Sequence, residues 1–220
     1  MNFAGLGSLP IVQLPMSDWW RAVPPLFAGS PVPPRGFTHT VTTRFNAGDI
    51  QALEHRFDTL YLAEDRLTCL YEFGALLGTP FRGGWSVPNP GRPCRVKKFS
   101  VCLPRIVDLT DPGVTGHILD LAVQDLTGDW DGYRLRGRVP RVTLPTGIAP
   151  TQQLGRALYS LRLDGFVTLS ARIPTRRVLI VYDPIAEDGA LRSGLDFERE
   201  EIVEAPPAPK READPRRSWA

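Results

Sequence analysis

The sequence predicts an α+β fold, a single domain in which strands and helices are mixed along the chain. Three observations carry this. Thr59–Ala63 (TLYLA) and Val178–Tyr182 (VLIVY) are short apolar and aromatic runs, the composition of buried strands. Two other stretches carry helical signals. One can open on the side-chain oxygen of Asp65. The other can be capped by Thr151, and its Leu154, Ala157, Leu158 and Leu161 recur at helical spacing. Finally, the 220 residues are 42% hydrophobic and 23% charged, ordinary for a globular protein, and contain no internal repeat, so one domain is expected.

In order along the chain, residues 1–14 read as an apolar N-terminal arm with no clear period. Residues 15–197 read as the domain and 198–220 as a charged, disordered tail, because its AlaProProAlaPro and KREADPRR segments lack the apolar content to fold. Asp18–Val23 is a first strand, with Arg21 among large apolar groups. Pro and Gly density makes 24–36 a loop. Phe37–Phe45 alternates Thr with apolar residues and reads as a strand, ending at Arg44 before the turn chemistry of Asn46-Ala47-Gly48. After the helix expected over Leu67–Leu77, residues 78–93 are again irregular. Arg95–Leu103 and Arg105–Leu109 read as one or two strands interrupted at Pro104. Asp111-Pro112 suits a helix start, and Ile118, Leu119, Leu121, Ala122 and Leu126 give a helical stripe. Residues 128–150 form a basic, proline-containing loop around Asp129-Trp130-Asp131. Phe166–Leu169 leads into Ser170-Ala171-Arg172, and Val178–Tyr182 reads as a central strand.

Bulk composition excludes several classes. A formal charge of +2 with scattered arginines gives no basic stripe, so direct nucleic-acid binding is not expected. Three cysteines without close pairing suggest reduced thiols rather than zinc or a disulfide framework, and the three histidines lack ligand spacing, so no metal site is expected. No apolar run reaches membrane-spanning length and no leader-like segment opens the chain, which points to a cytoplasmic protein. No glycine-rich phosphate loop follows a strand.

One stretch stands out. From Leu67 to Leu77 the only charged residue is Glu72. A carboxylate in so apolar a helix must be paired, coordinated or functional. Tyr61, on the preceding strand, puts a ring and a hydroxyl in the same neighbourhood. The blander alternatives are that Glu72 pairs with one of the many arginines, that Tyr61 is a core tyrosine, and that Ser170 is a strand-end hydroxyl.

Read together, Arg21 in its apolar strand, Arg44 in RFNAG, Tyr61 in LYLAED and Glu72 in LYEFG resemble the RES domain family. That family comprises the toxins of RES–Xre toxin–antitoxin pairs. The resemblance extends to Ile106–Pro112 (IVDLTDP), to Thr151-Gln152-Gln153-Leu154-Gly155, and to Gly165–Arg172, which places the family serine at Ser170. It spans roughly residues 15–185. Thr42 and Thr43 stand where the family usually has glycines, and residues 129–146 look like an insertion.

The resemblance implies an ADP-ribosyltransferase-like fold of mixed sheets flanked by helices. It also implies an NAD+-degrading enzyme, a phosphorylase or glycohydrolase that cleaves the nicotinamide–ribose bond. The alternatives are a protein ADP-ribosyltransferase or a catalytically inactive RES-like binding module. NAD+ would be the substrate, with no further cofactor, and the partners would be an Xre-like antitoxin and, for phosphorolysis, inorganic phosphate. By the same resemblance Glu72, Tyr61 and Arg44 are the catalytic candidates, and Arg21, Arg44, Tyr61 and Ser170 contact NAD+. The chemistry is compatible. A carboxylate stabilises an oxocarbenium-like ribose, a tyrosine ring stacks on nicotinamide, and guanidinium forks match a pyrophosphate. Arg44 or Arg172 could hold a second anion. The loops at 24–36 and 78–93 would present the surface for the antitoxin.

Overall fold

The computed structural model describes residues 5–78, 86–127, 148–198 and 203–204. Its centre is a sheet of seven strands among the described residues, and the hydrogen bonding folds that sheet back on itself. Strand β1 (Val12–Val23) pairs antiparallel with β5 (Arg95–Asp108) along most of its length. On its other edge β1 meets β2 (Thr59–Ala63) at the Trp20–Ala63 pair. β2 continues to β7 (Arg177–Tyr182), β7 to β6 (Gly165–Leu169), and β6 runs parallel to the end of β5. The ring β1-β2-β7-β6-β5 is thereby closed, and β8 (Leu195–Phe197) and β9 (Val203–Glu204) extend it from β5.

Strand alternation then sorts the apolar residues into two sets. Trp19, Leu60, Leu62, Phe99, Val101, Val167, Leu179 and Val181, drawn from all five ring strands, fill the interior. The opposite faces of β6 and β7 (Phe166, Ile180, Tyr182) pack against Phe45, Phe57 and the helices α2 (Val123–Thr127) and α3 (Pro150–Ser160). Helix α1 (Arg66–Phe73) lies across β1 and β2, burying Thr68, Cys69 and Tyr71. A separate hairpin, β3 (Leu76–Gly78) with β4 (Ser86–Pro88), follows it. Among the described residues no helix is long and apolar enough to cross a membrane.

Several expectations are corrected. Phe37–Phe45 is not a strand: Phe37–Thr40 is a 3-10 turn and Arg44 lies in a loop. The buried Asp58 carboxylate accepts the amides of Gly36 and Thr38 and the Thr38 hydroxyl, and the Asn46 side-chain amide donates to the Thr38 carbonyl. Side chains thus satisfy the backbone groups that a ladder would have used. The helix expected over Leu67–Leu77 stops at Phe73. Gly74 adopts φ +81°, and the amides of Gly74 and Ala75 bond back to Tyr71 and Leu70, a Schellman ending. Leu67, near the start of that helix, is 46% exposed.

α3 opens at Ala149-Pro150 rather than on Thr151, with the Gln152 side chain accepting the Ala149 amide. The break foreseen at Pro104 is absorbed inside one strand, where β1 and β5 shift register between Val12 and Leu14. Strand β1 begins inside the expected N-terminal arm. Val203–Glu204, within the expected disordered tail, pairs with Arg95 and Val96. The proposed insertion at 129–146 and part of the 78–93 loop lie outside the described residues.

Candidate active site

β1 and β2 are bonded at Trp20–Ala63 and then part, and the split makes a cleft of about 460 Å³. Its wall includes four of the five residues singled out in the sequence: Arg21, Arg44, Tyr61 and Glu72. The size is that of a small-molecule site.

Tyr61 ties the cleft together. Its carbonyl, facing the gap left by β1, accepts Arg21 Nη1 at 3.0 Å. Its hydroxyl is bonded to Thr43 Oγ1 at 2.8 Å and accepts the Phe45 amide at 2.9 Å. One residue therefore holds Arg21 directly and both neighbours of Arg44. That hydroxyl is committed to the protein's own Arg44 turn. Burial pushes the phenol's pKa up, favouring the neutral form that makes these bonds.

The turn carrying Arg44 is fixed by Asn46, whose sequence context marks no more than a turn. Fully buried, Asn46 donates to the Thr38 and Phe57 carbonyls and accepts from the Gly48 amide and the Gln51 side chain. Gly48, at φ +60°, is required, because a Cβ there would meet the Val41 carbonyl carbon at 2.7 Å. On the far side, Gln152 Nε2 donates to the Thr43 carbonyl at 2.9 Å.

Arg44 itself is 3% exposed. Nη2 donates to the Leu169 carbonyl at 3.1 Å, while Nη1, also buried, has no partner. Its guanidinium lies 4.8 Å from the centre of the Phe45 ring. Burial lowers its pKa, with Glu72 and Tyr61 acting in the opposite direction. Arg21 is likewise pulled down, to about 10, by burial, and its Nε is an unpartnered buried donor.

Glu72 projects from the last turn of α1. Asp65 starts that helix by accepting the Thr68 amide at 2.8 Å, as its sequence position predicts. Glu72 Oε1 accepts the Ser170 hydroxyl at 2.5 Å and the Ala171 amide at 2.9 Å. The arginine pairing weighed as an alternative does not occur among the described residues. Ser170 is fully buried behind Glu72 and lies outside the cleft wall. Arg172 is exposed at the surface and donates its amide to Ser170 Oγ.

Three further cleft residues carry no clear functional signal in the sequence. Trp20 lines the cleft and lies under the Arg66 guanidinium, 5.7 Å away. Thr43 stands out in the sequence only as a departure from glycine. Arg92, exposed at the cleft wall, sits in a Pro- and Gly-rich loop with no local signal to mark it. Among the described residues no three His, Cys, Asp or Glu side chains gather as a metal site.

Fold and cleft define a class, an α+β domain whose split closed sheet sets two guanidiniums, a phenol and one carboxylate into the wall of a ligand-sized space. The chain belongs to the RES domain family, whose model matches residues 18–199. Among solved structures it is similar to the Mycobacterium tuberculosis MbcT-MbcA toxin–antitoxin complex. The match has a TM-score of 0.59 at 16% identity and covers 92% of this chain and 91% of the other. At that identity the likeness establishes the fold. No curated protein matches the chain.

Proposed function

We propose that this protein degrades NAD+ by cleaving the nicotinamide–ribose bond, as the toxin of a toxin–antitoxin pair. The observation that carries the reading is the meeting of Arg21, Arg44, Tyr61 and Glu72 on one cleft from positions far apart in the chain. Arg21 and Arg44 have buried donors without protein partners, which suits the two negative charges of a pyrophosphate. The Tyr61 and Trp20 rings offer faces for nicotinamide. Glu72, the one carboxylate on the cleft wall, would stabilise the electron-poor ribose carbon as nicotinamide departs. A decayed binding module would have no reason to keep all four.

Phosphate is our choice of nucleophile over water, because cations exceed carboxylates around the cleft, with Arg92 on the wall and Arg172 close enough to depress Arg44. Purified protein is incubated with NAD+ in phosphate-free buffer and then with phosphate, and products are separated by mass. ADP-ribose-1″-phosphate formed only with phosphate supports phosphorolysis. Free ADP-ribose at an unchanged rate makes the enzyme a glycohydrolase, and label appearing on protein makes it a transferase.

The partner follows by analogy with the solved neighbour, which is a toxin bound to its antitoxin. An Xre-like protein covering the cleft would silence the enzyme. Co-expression with the product of the adjacent reading frame should give co-purification and rescue of growth. Separate elution with no rescue removes this part of the proposal.

A further inference from the structure

Arg44 and Glu72 carry opposite charges on one confined cleft, yet they make no hydrogen bond or ion pair with each other among the described residues. Opposite charges away from water attract strongly and close on one another unless each is held elsewhere. Three consecutive residues at the end of β6 do the holding. The Leu169 carbonyl accepts Arg44 Nη2 at 3.1 Å. The Ser170 hydroxyl and the Ala171 amide both donate to Glu72 Oε1, at 2.5 and 2.9 Å.

The Ser170 hydroxyl has no capacity left over. Its oxygen accepts the amides of Arg172 (3.1 Å) and Ile173 (2.9 Å), which fills both lone pairs, and its one proton points to Glu72. It is fully buried and off the cleft wall. The carboxylate is thus gripped through one oxygen. Among the described residues Oε2 has no hydrogen-bond partner, and Arg44 Nη1 is likewise unpartnered.

We propose that Leu169–Ala171 is a charge separator, and that Ser170 is a positioning residue acting through Glu72 rather than a contact to the ligand. By seating cation and anion on adjacent main-chain and side-chain groups, the segment keeps them from neutralising each other, so that both meet the substrate. The kinetic part of this inference rests on the NAD+ reading above; the structural part does not.

Crystal structures of substrate-free wild type and Ser170→Ala test the structural part. In the variant Glu72 should leave its seat and close to ion-pair distance from Arg44; a carboxylate that stays in place overturns the proposal. Ser170→Cys, which keeps nearly the same volume while weakening the donor, gives the same test if the alanine variant does not fold. With NAD+ as the probe, Ser170→Ala should lower kcat by about one to two orders of magnitude and raise KM as well, because a Glu72 carboxylate closed onto Arg44 takes away a cation that meets the substrate. In a Glu72→Gln background the same change should cost less than about threefold more, because two residues acting as a unit are not additive. Additive losses, or a raised KM with kcat intact, would mean a direct ligand contact and sink the proposal. A wild-type protein that leaves NAD+ untouched refutes the enzyme reading instead, and the crystallographic comparison still decides this one.

Discussion

At the scale of single residues, the site depends on which polar atoms are already spoken for. Tyr61 illustrates this. Both sides of its hydroxyl are engaged, by Thr43 and by the Phe45 amide, and its carbonyl holds Arg21. Tyr61→Phe keeps the ring and the Arg21 bond but orphans the Phe45 amide beside Arg44. We expect a stability loss of about 1–2 kcal/mol, the usual result of leaving a buried donor unpaired. We also expect KM for NAD+ to rise roughly tenfold, with a smaller fall in kcat, because the turn that aims Arg44 loosens. Steady-state kinetics and thermal melts check this; a kcat loss of several orders with KM unchanged would make the phenol a participant in the chemistry.

Residue identities on the cleft were legible because their types were odd for their surroundings: Glu72 alone in an apolar run, Arg21 between tryptophan and alanine. Their committed partners were not legible. Nothing local says that Ser170 will turn inward to a carboxylate 98 residues away, or that Thr43, in place of glycine, will meet Tyr61.

At the scale of elements, the helix α3 shows how packing reaches the site. Gly155 sits in mid-helix, where glycine is unfavourable by about 1 kcal/mol relative to alanine. Its reason is contact: a Cβ there would fall 2.0 Å from the Phe45 carbonyl oxygen, next to Arg44. Tyr182 also donates to the Gly155 carbonyl at 2.6 Å, locking the helix to β7. Gly155→Ala must push helix and turn apart. An overpacking penalty of about 1–3 kcal/mol corresponds to a Tm lower by roughly 5 °C in a chain of this size, and NAD+ turnover should fall with it. A variant that melts at or above the wild-type temperature would show that close approach does not set the Arg44 turn.

Elements with strong local signals were readable. TLYLA is β2 to the residue, Asp65 caps α1, and Val178–Tyr182 lies in β7. The errors fell where tertiary hydrogen bonds outvoted local pattern, as when Asp58 and Asn46 drew Phe37–Phe45 out of a strand. Gly74, which ends α1, was visible in the sequence but masked by the apolar run continuing through Leu77.

At the scale of the whole molecule, ring closure and its single weak seam produce function. β1 pairs with β5 over many residues and with β2 at one position, so the sheet opens at the β1–β2 edge, and the cleft forms there. Mixed strands and helices in one domain could be inferred from run lengths and composition. The closure could not, because Trp20–Ala63 joins two strands with no shared signal between them. Family membership supplied the class of fold, and the seam explains why this fold has a site.

The central claim is that this cleft breaks the nicotinamide–ribose bond and that Glu72 does so through its charge. The most direct measurement is nicotinamide release from NAD+ by purified wild type and Glu72→Gln under identical conditions. Both hydrogen bonds to the Glu72 carboxylate are ones it accepts, and the glutamine carbonyl can accept them equally, so the fold should survive while the charge is lost. The account predicts steady release by the wild type and a fall of about two orders of magnitude or more in a folded Glu72→Gln protein. Equal release by the two proteins, or none by the wild type, would contradict it.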